Sequence, residues 1–200
     1  MFGIENIVIF ISSGILLNLY PGPDTLYIVG RSVSQGRRAG VSAAFGIGTG
    51  GIVHTLLGAF GLSAVIATSA HAFTLLKLAG CGYLVYQGVS ILFRASNTNA
   101  KDAMKMDPAS AMRIYRQGAL TNILNPKVAV FFLAFLPQFI SVSSDYKSLA
   151  FIILGMIFVT TGTLWCLIVA FFASSFSVRM RQSSTVSKRL AQLNGLLFIF

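Results

Sequence analysis

Carboxylates are scarce in this chain: Asp and Glu together number five among 200 residues. Asp24 is the only acid between Glu5 and Asp102. Hard cations want several oxygen ligands and soft ones want clustered thiolates, so neither kind of metal cage is expected. The two cysteines, Cys81 and Cys166, lie in separate apolar runs, with no metal spacing and no disulfide framework. They read as small buried residues. Charge of either sign is thin, at 10% of residues against about 25% in a soluble domain. With 55% of residues hydrophobic, a soluble core could not hide the apolar surface, and the solvent is read as lipid. The net charge of +10 sits in short gaps between apolar runs rather than along one polar face, which argues against nucleic acid. No Ser-His-Asp set or nucleotide loop is visible. The chain reads as a non-enzyme without cofactor or metal.

What is present is a series of membrane-length apolar runs. A crossing helix needs about 20 such residues. Candidate spans are 4–30, 39–67, 72–93, 118–140, 148–176 and a short one at 189–200. No basic stretch precedes the first run, so it is read as a retained span rather than a cleaved signal. Arg31, Arg37 and Arg38 follow span 1; Arg94, Lys101, Lys105, Arg113 and Arg116 follow span 3; Arg179, Arg181, Lys188 and Arg189 follow span 5. The positive-inside rule places these basic gaps in the cytoplasm and both termini outside. The polar stretch 96–110 divides the spans three and three. An odd number per half requires the second half to insert upside down.

The expected organisation is one membrane domain over 1–200, with half-repeats of about 1–93 and 118–200 and a cytoplasmic linker at 94–117. "GILLNLYPG" from Gly14 and "GALTNILNP" from Gly118 share G-x-L-x-N before proline-containing chain. At the same offset Gly51 pairs with Gly155 and Gly58 with Gly162. "KLAGCGYL" from Lys77 pairs with "RLAQLNGL" from Arg189, and the sixth span is expected to run on beyond Phe200.

Spans 1 and 4 carry poor helix material at depth. Pro21 and Pro23 lack amide protons, and Pro23 pushes Gly22 out of helical geometry. Carbonyls near Leu17 and Asn18 then lose their partners, and in hydrocarbon they must face protein, water or a ligand. The half-helix that restarts at Pro23 presents free N–H groups suited to a carboxylate. Asn125-Pro126-Lys127 interrupts span 4, with Asn125 as N-cap and Pro126 at the first helical position. Asp24 and Lys127 are ionisable groups at depth, where such groups are costly and usually functional. His54 is a further candidate, although a lone buried histidine is more often a packed, hydrogen-bonded residue. "GIGTGG", Gly46 to Gly51, matches a dinucleotide-binding spacing, but no strand precedes it and no acid follows about 20 residues on. It reads as a surface for close helix approach. Phe131, Phe132 and Phe135 are read as lipid-facing or packing.

"PGPDTLYIVGRSVSQGRRAG" from Pro21, "GIGTGGIVH" ending at His54 and "LTNILNPKVAVFFLAFLPQF" from Leu120 resemble the LysE/RhtB family of amino-acid exporters. The resemblance runs from about residue 4 to 195. It implies an all-α bacterial inner-membrane protein that exports small amino acids or derivatives, driven by protons. By position it implies a substrate site built from Asn18, Pro21, Gly22, Pro23, Asp24, His54, Asn122, Asn125, Pro126 and Lys127. The resemblance implies that the position of Asp24 is Asp or Asn in many relatives, which weakens an obligatory proton-carrying role for it. A cation exporter of the same wider superfamily is the alternative, and an intramembrane enzyme using His54 with Thr55 or Ser63 is a more distant one. Homo-oligomerisation is left open.

Overall fold

A computed structural model describes residues 2–68 and 106–180, with side chains for 2–61 and 106–175. Among these residues six helices and no named strand are present. They are α1 (Ile7–Leu19), α2 (Pro23–Gln35), α3 (Arg37–Thr68), α4 (Ala111–Ile123), α5 (Pro126–Phe139) and α6 (Lys147–Met180). The expected spans 72–93 and 189–200 lie outside the described residues. Among the described residues two helices, over Arg37–Gly61 and Lys147–Ser175, are long and apolar enough to cross a membrane; counting each bent pair as one span raises the number to four.

Covalent geometry explains the interruptions. α1 stops at Leu19 because Pro21 has no N–H to continue the ladder, and Tyr20 turns extended at φ −70°, ψ 116°. Gly22 is also extended and α2 restarts with Pro23 at its first position, at a bend of 50°. The second interruption repeats this logic. Asn125 caps α5 by accepting the Lys127 N–H at 3.0 Å, Pro126 fills the first position, and the bend is again 50°. α2 and α3 meet at Gly36, whose φ of 82° favours glycine. α4 begins at Ala111 rather than near the expected 118, because Ser110 caps it by accepting from the Arg113 N–H. Its two arginines made this first part read as linker.

The bent pairs lie alongside one another in opposite directions. Arg31 bonds to the Asp107 carbonyl and to Gln117, Tyr27 to the Ile114 carbonyl and Gln117, and Asp24 to Asn122. Lys127 bonds to Tyr20 and Leu17, and Ile4 bridges Ile140 in antiparallel sense. Numbers fall along one pair as they rise along the other. Arg31, read from sequence as the first residue of a basic gap, is instead inside α2 and only 7% exposed, since the helix runs on to Gln35.

Glycines set the spacing of the long helices. A Cβ at Gly46 would collide with the Tyr115 carbonyl oxygen, and one at Gly50 would lie 2.6 Å from the Asn122 Cβ. On the other face, a Cβ at Gly51 would lie 2.8 Å from Val159 and one at Gly48 2.7 Å from the Thr163 hydroxyl. α3 is thereby clamped between α4 and α6, the close approach read from "GIGTGG". The glycines aligned by the repeat each face a side chain of another helix: Gly51 meets Val159, Gly58 meets Phe151, Gly155 meets Thr55 and Gly162 meets Asn18. Gly46→Val forces α3 off α4 backbone, an overpacking worth about 1–3 kcal/mol. It is expected to lower the melting temperature of detergent-purified protein by roughly 3–10 °C. Gly61→Val, with nothing within 4 Å of the added carbon, is expected to leave it unchanged.

Phe131 and Phe132 pack inward, at 2% and 1% exposure. The Phe131 ring stacks on Phe158 at 4.1 Å, and Phe10 lies edge-on to Phe139 at 5.2 Å. A second core of Ile28, Ala43, Ala44, Ile47 and Ile114 fills the basic end. Val8, Leu16, Leu57, Phe60 and Phe172 point outward, as an apolar solvent permits.

Candidate functional site

The two interruptions complete each other. Pro21 deprives the Leu17 carbonyl of its donor one turn on, and the Tyr20 carbonyl is turned out of the helix. The Lys127 ammonium, 8% exposed, donates to both, at 3.2 Å and 3.0 Å. A cation thus sits at the negative end of α1. The lysine packs against the bend, since a Cβ at Gly22 would lie in ordinary contact with the Lys127 Nζ at 3.4 Å. In return, Asp24 in the first turn of α2 accepts from the Asn122 amide at 2.8 Å through Oδ2. Asp24 also complements the positive end of its own helix.

Between these contacts and α6 lies a cavity of about 50 Å³. Asn18, Asp24, Asn122 and Lys127 line it together with Thr25, Thr163, Trp165 and Cys166. A water needs about 10–15 Å³ of such space, so the walls must part to admit anything larger than a few waters. Among the described residues, four buried polar atoms of lining residues have no hydrogen-bond partner: Asn18 Nδ2, Asp24 Oδ1, Asn122 Oδ1 and Trp165 Nε1. Each such group costs about 1–3 kcal/mol when left unmade. All four belong to residues around one small space.

The remaining sequence candidates fall around this space rather than in its lining. Pro21 and Pro23 shape the bend. Asn125 is buried beneath it as the cap of α5, and Pro126 is exposed on the outer side. His54 shares a hydrogen bond at 3.1 Å with the Asn122 carbonyl and stacks on Phe132 at 5.6 Å, so it buttresses Asn122 from behind. The Thr55 hydroxyl donates to the Gly51 carbonyl and does not meet the histidine as a nucleophile would. Among the described residues no group of three or more His, Cys, Asp and Glu gathers as a metal site would. Sequence reasoning missed Trp165, Thr163 and Cys166, which belong to an uninterrupted apolar helix without a motif. The one available signal was Gly162, whose absent side chain admits Asn18, with a Cβ position 3.1 Å from Asn18 Oδ1.

Comparison with known proteins adds the following. The family described as LysE type translocator matches residues 15–200. An uncharacterised membrane protein of Bacillus subtilis is 29% identical over 98% of this chain and 95% of its own length. A leucine efflux protein of Salmonella typhimurium is 29% identical over 77% of this chain and 72% of its own length. An uncharacterised membrane protein of Pseudomonas aeruginosa is 26% identical over 98% and 93%. No solved structure matches.

Proposed function

The chain belongs to the LysE type translocators, and from that membership we propose that it is a secondary transporter moving a small amino acid out of the cytoplasm. The observation that carries this reading is the exchange between the two interruptions. Lys127 holds the end of α1 and Asn122 holds the start of α2, with one ammonium and one carboxylate lining the cavity between them. A cavity with one charge of each sign suits a cargo with one of each. Asp24 and Asn122 receive the cargo's ammonium. Lys127 supplies positive potential toward its carboxylate while staying bonded to the α1 carbonyls, and a resident ammonium works against a metal cation as cargo. The leucine efflux relatives support an amino-acid cargo, with leucine as the first to try.

The basic end, with Arg31, Arg37, Arg38, Arg113 and Arg116, faces the cytoplasm in this reading, and both termini face outward. The opposed run of the two bent pairs supports two inverted halves, about 1–93 and 118–200 joined through 94–117, that rock about the cavity. Protons entering the cell drive the cargo out.

Proteoliposomes loaded with labelled L-leucine or L-alanine test this. Acidifying the outside is expected to speed efflux, and a protonophore is expected to cancel the gain. Efflux indifferent to the gradient would remove proton coupling. No efflux of any amino acid, loaded singly across the standard set, would remove the exporter reading.

A further inference from the structure

We infer that Trp165 and Asn18 form a carboxylate-binding pair opposite Asp24 and Asn122, so that the cavity selects free α-amino acids with both ends unmodified. This rests on the exporter reading and names its specificity device.

The unpartnered atoms divide by chemistry. Trp165 Nε1 is an indole nitrogen, which donates and never accepts. Asn18 Nδ2 is also a donor. Asp24 Oδ1 is an acceptor, with the buried Asn125 side-chain amide as a neighbouring donor within the protein. Asn122 turns its nitrogen to Asp24 at 2.8 Å, which leaves its Oδ1 as an unpartnered acceptor, and the residue is only 5% exposed. Two unpartnered donors and two unpartnered acceptors thus belong to residues that line one cavity.

They also divide by place. Gly162 and Trp165 are three apart on α6 and share a face of that helix. Asn18 lies against Gly162, so the two donors belong to the α1–α6 side. Asp24 and Asn122 bond to each other where α2 begins and α4 ends, so the two acceptors belong to the opposite side. A carboxylate accepts from the first pair and an ammonium donates to the second. The orientation of an α-amino acid follows, with its carboxylate toward Trp165. Lys127 is no substitute as the direct donor, because its ammonium is already bonded to the Leu17 and Tyr20 carbonyls.

Trp165 is the sole tryptophan of the chain, so its emission reports on this cavity and nothing else. Purified protein titrated with L-leucine and with L-alanine is expected to show a saturable change in that emission. Leucinamide lacks the carboxylate and N-acetylleucine lacks the ammonium, and each is expected to need a concentration about tenfold higher or more. In proteoliposomes, Trp165→Phe keeps the aromatic volume and loses the N–H. It is expected to raise the KM for L-leucine about tenfold and that for leucinamide, whose neutral carbonyl accepts more weakly, by less. Asn18→Leu is expected to do the same without touching the tryptophan. Equal emission responses to leucine and leucinamide, no response to either amino acid, or an unaltered leucine KM in both variants would overturn the inference. If the unsubstituted protein exports amino acids and the variants match it, this pair alone falls and the exporter reading stands.

Discussion

Lys127→Met is expected to yield a protein that melts far below the unsubstituted one and exports nothing measurable. Two part-buried carbonyls, Leu17 and Tyr20, accept from the Lys127 ammonium. Each costs about 1–3 kcal/mol without a donor, or about 2–6 kcal/mol for the pair. The cation's interaction with the end of α1 adds up to about 2 kcal/mol in a partly buried setting. At about 2–4 °C per kcal/mol for a chain of this size, the melting temperature falls by roughly 4–30 °C. Methionine fits the space and brings no donor, so the loss is chemical rather than steric. Lys127→Arg keeps the charge on a wider group and is expected to fall between. Thermal unfolding in detergent checks both. A Lys127→Met protein that melts normally while failing to export would remove the capping role and assign the lysine to the cargo alone.

Asp24→Asn has the second largest expected effect, and it separates function from stability. The substitution is isosteric, and an asparagine oxygen still accepts from Asn122, so melting is expected to stay within a few degrees. The charge opposite the cargo's ammonium is lost. Hydrogen bonds to charged groups contribute about 1.5–3 kcal/mol, which converts to a KM raised about 10- to 100-fold. Initial rates across a range of internal leucine concentrations measure this. An unchanged KM would remove Asp24 as the ammonium partner. Undiminished acceleration by an acid exterior would independently remove it as the proton carrier.

The loss of Lys127 is expected to exceed that of Asp24 for a reason visible in the fold. Lysine holds the backbone of another span together, whereas aspartate holds a side chain and waits for a partner. That difference was not legible beforehand. Both residues stood out in the sequence as ionisable groups in apolar runs, and both were placed near a proline interruption. Their separate tasks emerged only once the interruptions lay side by side. His54 shows the converse. It was named with the site, yet its ring packs on Phe132 and supports the Asn122 carbonyl without lining the cavity. Trp165 was not named, because a helix that is apolar all round gives no indication of which side faces inward.

The sequence by itself determined the solvent and the two places where a span is interrupted. These are local matters: apolar content sets the medium, and a proline has no N–H wherever it stands. The cap at Asn125 and the close-approach surface of Gly46 to Gly51 were legible for the same reason, since a short polar side chain or a missing one acts on its immediate neighbours. Only the tertiary structure decided that Asp24 meets Asn122, 98 positions away, and that Lys127 meets Leu17, 110 positions away. The periodicity of a helix says which residues share a face but not which foreign face they meet. That choice was made by the glycines of α3, whose missing side chains let α4 and α6 close in and bring the two interruptions to a single point.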